Sequence, residues 1–172
     1  MNINEFLSDP VSVEALTVLE YEVGEWASET FPNDRGSIVG HVMKELAEAF
    51  QSSEDVDRTN YRFELIDVAL ILCHWSKLEG VSLVKIIQNQ RDLVTASTES
   101  WLDGTIEGSL NSNNQIFAAR VFYRALERYF DDGATDFMSS ARAKFEIAKG
   151  RKWELDENGV AHHVEDTQAS VS

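Results

Sequence analysis

The sequence contains a single cysteine, only two prolines and half as many basic as acidic residues. One cysteine cannot form an intrachain disulfide, and Cys73 lies in an apolar run, so we expect a buried thiol in a reducing compartment. The scarcity of proline, together with 43% hydrophobic residues, is typical of an ordered globular chain. At 172 residues the chain is expected to form one domain with a sizeable core.

The charge balance excludes several classes of partner. Fifteen Lys and Arg against thirty Asp and Glu give a formal net charge of −15, the wrong sign for coating a polynucleotide or an anionic membrane. An anionic substrate would need bound cations or well-placed basic residues to offset the repulsion. The first residues lack the pattern of a signal peptide, and no apolar run approaches the roughly 18 residues of a membrane span. We therefore expect a cytoplasmic protein.

Hydrophobic residues recur at three- and four-residue steps through much of the chain, which predicts helices. The first predicted helix follows Asp9 and Pro10, a cap and a first-turn proline, and ends near Phe31. A turn over residues 33–36 leads to a second helix, which Ser37 is expected to cap.

The third predicted helix, from about Arg58 to Glu79, is apolar on all sides through its middle and is expected to be central in the bundle. A further helix starts after Ser82, and the stretch 95–114, rich in Ser, Thr, Gly and Asn, is predicted to be a long loop. Helical spacing then returns twice before a stop at Gly150.

No alternating hydrophobic pattern longer than a few residues is present, and no internal repeat is visible. The predicted fold class is therefore all-α, a helical bundle that forms one domain over residues 1–165. The remaining residues, 166–172, are expected to be a disordered tail.

Two pairs of carboxylates are the candidate chemical groups. Glu45 and Glu48 are three residues apart on the second predicted helix, and Glu64 and Asp67 have the same spacing on the third, so each pair shares one helix face. Because Glu64 and Asp67 begin the most apolar helix, burying them unpaired would be costly, and something positive must compensate them. Hard oxygen ligands of this kind favour Mg²⁺ or Mn²⁺. We therefore predict a divalent-metal site.

Two other interpretations of these carboxylates compete with the metal site. For either pair taken alone, a solvated acidic helix face is the more common arrangement. A di-iron carboxylate bundle needs Glu-x-x-His on its ligand helices, and none of the four histidines has a Glu three residues before it. The presence of two pairs on consecutive helices favours the metal site.

The pattern Lys44-Glu45-Leu46-Ala47-Glu48, followed after fifteen residues by Glu64-Leu65-Ile66-Asp67, resembles the E-E-x-x-E…E-x-x-D signature of the MazG-like all-α nucleoside triphosphate pyrophosphohydrolases. Trp26 with Thr30-Phe31, His41, and the residues Lys144-Phe145-Glu146-Ile147, Arg151-Lys152-Trp153, Gly159 and His163-Val164 are similar to the phage-encoded dATP/dGTP pyrophosphohydrolase branch of that family. The resemblance covers residues 12–91 and 137–165.

Departures from the family pattern occur at two positions and in one segment. Lys44 stands where the family often has a Glu, and Ala148 stands where an Asn is expected. Residues 92–136 resemble an inserted helical segment relative to compact members of the family. Three arginines spaced by four within it, at 120, 124 and 128, are expected to form a solvated or subunit-contact face.

The resemblance implies an enzyme that converts a (deoxy)purine nucleoside triphosphate, with dGTP as the expected substrate, to the monophosphate and pyrophosphate. Glu45, Glu48, Glu64 and Asp67 would be its catalytic carboxylates and would bind Mg²⁺ or Mn²⁺, two or more ions per site. A homo-oligomer, either a dimer or a tetramer, is implied as well, in the cytoplasm of the host if the protein is phage-encoded.

For substrate binding, the resemblance implies that Lys144 and Arg151 contact phosphate and that Trp26 is a candidate for stacking on the base. Each also has a plainer interpretation, because basic residues are favoured near a helix C-terminus and an aromatic at helical spacing usually packs in a core. His41 and His74 are expected to be packed or hydrogen-bonded rather than to bind metal. The alternative function is a catalytically silent, acidic helical adaptor whose carboxylate face binds a basic partner.

Overall fold

The computed structural model describes residues 1–54, 58–96 and 105–164. These residues form a predominantly helical fold with one short hairpin, as predicted for the helical class. The elements in chain order are α1 (Ile3–Ser8), α2 (Pro10–Thr30), α3 (Arg35–Glu54), α4 (Arg58–Glu79), α5 (Leu83–Asn89), α6 (Arg91–Thr95), α7 (Thr105–Asn111), α8 (Gln115–Asp131), α9 (Phe137–Gly150), β1 (Trp153–Leu155) and β2 (Ala161–His163). The predicted tail over 166–172 lies outside the described residues.

The apolar helix α4 is central, as its sequence predicts, and it packs against α2, α3, α8 and α9. Its apolar middle is buried, including Cys73, whose thiol has a pKa raised well above the ordinary value by burial. A helix that is covered on all sides can present polar groups only near its ends or into an internal cavity. Glu64 and Asp67 lie in the first half of α4, where it faces α3 and α9.

The start of α2 is confirmed and the start of α3 differs from the prediction. The Asp9 carboxylate accepts a hydrogen bond from the Ser12 backbone N–H at 3.1 Å, and Pro10 follows in the first turn. The expectation that Ser37 caps α3 was wrong, because the Asp34 carboxylate accepts from the Ser37 backbone N–H at 2.8 Å and the helix already begins at Arg35. The Ser37 hydroxyl is thereby left to bind elsewhere.

The predicted loop over 95–114 is only partly correct, because α7 occupies Thr105–Asn111, while residues 97–104 lie outside the described part of the chain. After it, α8 packs on α4 and α5 and buries one of its faces in the main core. Two of the three arginines on the predicted basic face of α8 form contacts within the chain and are not only solvated. The Arg120 guanidinium donates to the carbonyl oxygens of Leu93 and Val94 at 2.9 and 3.1 Å, and Arg124 pairs with Glu127 at 2.6 Å.

The hairpin of β1 and β2 was not predicted. The two strands are antiparallel with Trp153 opposite His163, and each has only three residues, too few for an alternating pattern to be recognised. The Asp156 carboxylate accepts from the Val160 backbone N–H at 2.8 Å, and Gly159 adopts a φ of +77° in the turn, which favours glycine. The predicted all-α class therefore describes the helices correctly but does not include this two-stranded hairpin.

The hairpin docks on α3 through a hydrogen bond, through close packing at Gly40 and through a ring contact with His41. The Ser37 hydroxyl donates to the carbonyl oxygen of Gly159. A Cβ atom added at Gly40 would lie 2.8 Å from the Cγ2 methyl of Val160, so the absence of a side chain at Gly40 is what lets the hairpin approach α3. This docking brings the Trp153 ring beside Phe31, at the end of α2, and beside His41 on α3.

Replacing Gly40 with Ala is expected to loosen the hairpin, because overpacking at a tight contact costs about 1–3 kcal/mol. Hydrogen–deuterium exchange of residues 151–164 should become faster in this variant. The control Gly108→Ala should leave that exchange unchanged, because a Cβ atom there meets nothing within 4 Å. Adding Val160→Ala to Gly40→Ala removes the obstructing methyl and should restore the protection. Unchanged protection in Gly40→Ala alone would contradict this role of the glycine.

No helix in the described part of the chain is both long enough and apolar enough to cross a membrane.

Candidate functional site

A cavity of about 350 Å³ opens between α2, α3, α4, α9 and the hairpin. Its volume lies in the range of ~300–1,000 Å³ that is usual for small-molecule sites. All seven residues that the sequence predicts for the site line this one cavity, although they come from distant parts of the chain. They are Trp26, Glu45, Glu48, Glu64, Asp67, Lys144 and Arg151.

Three of the four predicted carboxylates form a compact group. Glu45 and Glu48 extend from α3 and Glu64 from α4, and one carboxylate oxygen from each lies within 4.8 Å of the other two. Glu45 is the most enclosed, with 7% of its surface exposed. Three hard oxygen donors at this separation fit a divalent cation such as Mg²⁺ or Mn²⁺.

The fourth carboxylate, Asp67, lies at the same cavity and is engaged differently. Its Oδ2 atom accepts a hydrogen bond from Lys144 Nζ at 2.5 Å, which joins α4 to α9. The Lys144 ammonium also lies 5.3 Å from the centre of the Phe63 ring. Asp67 is not part of the compact group of three, so the four predicted ligands divide into a three-carboxylate cluster and one ion pair.

Burial of like charges governs the ionisation of this cluster. Burial, followed by the nearby Asp67 charge, raises the pKa of Glu45 to about 7. Burial, followed by a hydrogen bond with Glu45, raises the pKa of Glu64 to about 8. Two carboxyl groups can hydrogen-bond each other only if one of them carries a proton. Without a cation, the pair therefore retains a proton near neutral pH.

This ionisation predicts how stability changes with pH in the absence of metal. Above the ordinary Glu pKa of 4.5, the folded state holds more protons than the unfolded state, so the free energy of unfolding decreases as pH rises through about 5 to 8. Mg²⁺ should remove much of this decrease, because it compensates the ionised carboxylates. Thermal unfolding midpoints measured across this range with and without Mg²⁺ test the prediction. The variant Glu64→Gln should flatten the metal-free profile, and a wild-type profile that is already flat would contradict it.

Two residues of α3 flank the cluster. The Lys44 ammonium lies 3.6 Å from Glu45 Oε1 and 3.7 Å from Glu48 Oε1. His41 Nε2 lies 3.4 Å from Glu45 Oε1, and burial, assisted by the Lys44 charge, lowers the pKa of His41 to about 4. His41 is therefore a neutral, buried neighbour of the cluster at physiological pH, as expected for a packed histidine.

Aromatic side chains line a second part of the cavity, the aromatic end. Trp26 packs edge-on against Phe31 and Phe145, with ring centres 5.4 and 5.5 Å apart. Phe31 in turn contacts Trp153 at 5.0 Å, and Trp153 contacts His163 at 6.0 Å across the hairpin. Trp26 packs among other rings, as its plainer interpretation expects, and it also lines the cavity, so stacking on a base stays a prediction. This aromatic end offers flat apolar surfaces for a planar ligand.

His74 lies beside this end and its placement agrees with the expectation of a hydrogen-bonded histidine. Its Nε2 atom is 3.0 Å from the side-chain oxygen of Asn33, and burial lowers its pKa to about 4. Its ring centre lies 6.1 Å from that of Phe31. His74 is therefore neutral at physiological pH, like His41.

Several cavity residues had no role assigned from the sequence. Phe31, Phe63, Trp153 and His163 line the cavity, and their sequence neighbourhoods carry no chemical pattern that would mark them. The resemblance includes three of these positions as matching residues, which was the available signal. Ala148, which replaces an expected Asn, also faces the cavity and adds an apolar surface there.

In comparisons with known proteins, no protein-family model, no curated protein and no solved structure matches this chain. The functional assignment therefore depends on the sequence motif and on the geometry of the cavity.

Proposed function

We propose that the protein is a metal-dependent nucleotide pyrophosphohydrolase of the MazG-like kind, which hydrolyses a deoxyribonucleoside triphosphate to the monophosphate and pyrophosphate. The observation that carries this proposal is that one cavity contains both a three-carboxylate cluster, its acidic end, and a group of aromatic side chains, its aromatic end. A nucleoside triphosphate has the same two parts, a planar base and a polyanion that proteins bind with cations. The preference for a purine, and for dGTP in particular, derives from the family resemblance alone.

The carboxylates Glu45, Glu48 and Glu64 would hold the Mg²⁺ or Mn²⁺ ion, with Asp67 beside them. A bound divalent ion would neutralise triphosphate charge and promote ionisation of the attacking water. The chain itself supplies a partly enclosed wall at this end, because Glu45 and its neighbour His41 are buried. Ionised carboxylates in such surroundings interact strongly with a cation.

Two positive side chains that line the cavity would bind the phosphate groups. Lys144 is held at the cavity by its ion pair with Asp67, and Arg151 follows directly after α9 at the cavity's edge. A guanidinium can bind two phosphate oxygens at once, whereas an ammonium acts as a compact charge. In a protein with a net charge of −15, these residues provide the local attraction that a polyanion needs.

The aromatic end is suited to the base. Every nucleobase presents a flat face that can stack on an aromatic ring, and Trp26 and Trp153 lie beside Phe31 at this end. Stacking orients the base and selects little among bases, so hydrogen-bonding groups would decide the preference. Binding the base there would leave the triphosphate directed toward the carboxylates.

The adaptor alternative is less well supported by this geometry. A basic protein partner would need the carboxylates on an accessible face, and Glu45 is 7% exposed. Glu48 is the more accessible member, with 43% of its side chain exposed, but it belongs to the same cluster. A small ligand entering the cavity can reach these groups more readily than a protein surface can.

The test is a product analysis with the purified full-length chain. Each of the eight common ribo- and deoxyribonucleoside triphosphates is incubated with the protein and Mg²⁺, and both pyrophosphate and orthophosphate are measured. We expect pyrophosphate from at least one deoxyribonucleoside triphosphate and none in the presence of excess chelator. Orthophosphate as the primary product would indicate attack at a different bond, and no product from any of the eight with Mg²⁺ or Mn²⁺ would end the enzyme proposal.

A further inference from the structure

Lys44 is placed like a cation of the site rather than like a surface lysine. Its ammonium lies 3.6 Å from Glu45 Oε1 and 3.7 Å from Glu48 Oε1, so one positive charge is shared by two carboxylates of the three-member cluster. Its side chain lines the cavity and is 37% exposed, which keeps the ammonium at the mouth. The pair with Glu48 has the i,i+4 spacing that is common on exposed helix faces, and it is the contact with buried Glu45 that places the ammonium at the cluster.

The protein's own basic side chains offset most of the negative charge at this end of the cavity. Four carboxylates face the cavity, and two ammonium groups, those of Lys44 and Lys144, are ion-paired with three of them. Arg151 lines the same cavity and adds a third positive charge there. Three basic side chains therefore face four carboxylates and leave one negative charge, which is less than a single divalent cation carries, so among the described residues nothing at the site compensates a second ion.

We propose that Lys44 holds the place of one cation, so that the site without nucleotide binds a single divalent ion. This inference rests on the metal site of the proposed function and states how many divalent ions that site binds in the absence of nucleotide. Any further ion enters with the nucleotide, whose triphosphate brings its own negative charge. Lys44 thereby prevents the carboxylate cluster from collecting cations that are not bound to substrate.

The physical reason is the repulsion between the ammonium and an entering cation. At a separation of about 5 Å, one unit charge and a divalent ion repel by more than 1 kcal/mol even at the dielectric constant of water. Removing the ammonium should therefore tighten binding of the first ion on the order of tenfold. Replacing it with a carboxylate also adds a ligand, which creates capacity for a second ion.

The experiment is a titration of the nucleotide-free full-length protein with Mn²⁺, followed by electron paramagnetic resonance of the unbound ion. Wild-type protein is expected to bind one Mn²⁺ per chain. Lys44→Gln is expected to bind one with about tenfold higher affinity, and Lys44→Glu is expected to bind two. Lys85→Gln on α5 makes the same charge change outside the cavity and should behave as wild type. Circular dichroism of each variant verifies that its helices are intact.

The inference is overturned if wild-type protein binds two ions of similar affinity without nucleotide. It is equally overturned if both Lys44 variants match wild type in stoichiometry and affinity, or if no variant binds Mn²⁺. Pyrophosphate release, measured on the same preparations, separates this result from the proposed function. Hydrolysis together with unchanged Mn²⁺ binding in the Lys44 variants would overturn the role of Lys44 alone, whereas the expected Mn²⁺ binding without hydrolysis would overturn the enzyme proposal alone.

Discussion

Glu45→Gln and Glu64→Gln are each expected to reduce pyrophosphate release by about a thousandfold, the effect of removing several kcal/mol of charge stabilisation from the reaction. Both residues belong to the cluster that fits a divalent ion, and an amide supplies a neutral oxygen of similar shape but no charge. Steady-state rates at saturating Mg²⁺ and nucleotide measure the effect. The two losses should not add in the double variant, because either substitution removes the same bound ion.

The same variants separate a functional role from a structural one. In the metal-free protein, burial raises the pKa of both carboxyl groups, so their charges oppose folding near neutral pH, and glutamine should leave the unfolding temperature unchanged or higher. Glu14→Gln, on the exposed face of α2, is the matched control and should retain full activity. Loss of activity accompanied by loss of helical structure would contradict the assigned role, and so would unchanged rates in both variants.

Lys144→Gln is expected to lower kcat/KM by about a hundredfold, with most of the change in the chemical step. The substitution removes an ammonium beside the cavity and leaves Asp67 without the partner that holds its Oδ2 atom at 2.5 Å. Burial already raises the pKa of Asp67, with the Lys144 charge opposing that shift. An Asp67 carboxyl without this lysine would therefore take up a proton more readily and lose its negative charge.

A second substitution distinguishes binding of phosphate from support of the fold. Lys144→Gln combined with Asp67→Asn replaces the ion pair with two neutral amides, which can hydrogen-bond each other, and should recover stability lost in the single variant. Activity should stay low in the double variant, because it lacks both the ammonium and the Asp67 carboxylate. Recovery of activity together with stability would show that Lys144 only supports the fold. Lys85→Gln again serves as the control for a change in net charge.

The sequence predicts the parts of the site that lie on regular helices. Glu45, Glu48, Glu64 and Asp67 occur at three-residue spacing on α3 and α4, and the apolar character of α4 makes it the central helix. Helical periodicity fixes which residues share a face, and burial then makes a charge on that face an exception that requires compensation. These elements could therefore be identified before the structure was known.

Other features depend on contacts between distant segments and left no local pattern. The ion pair of Asp67 with Lys144 spans 77 positions, and nothing near either residue predicts it. The hairpin that places Trp153 against Phe31 has strands of three residues, below the length at which alternation is visible. The prediction that Ser37 caps α3 was wrong because the Asp34 carboxylate, three residues earlier, accepts the hydrogen bond at the start of this helix.

The position of a bound divalent ion tests the central claim most directly. Crystals of the nucleotide-free protein soaked in Mn²⁺ would be measured near the manganese absorption edge, where anomalous scattering locates the ion independently of the protein atoms. We predict one anomalous peak between Glu45, Glu48 and Glu64, about 2.0–2.4 Å from an oxygen of each. A map without a peak in this cavity, or with manganese bound only elsewhere on the protein, would contradict the account.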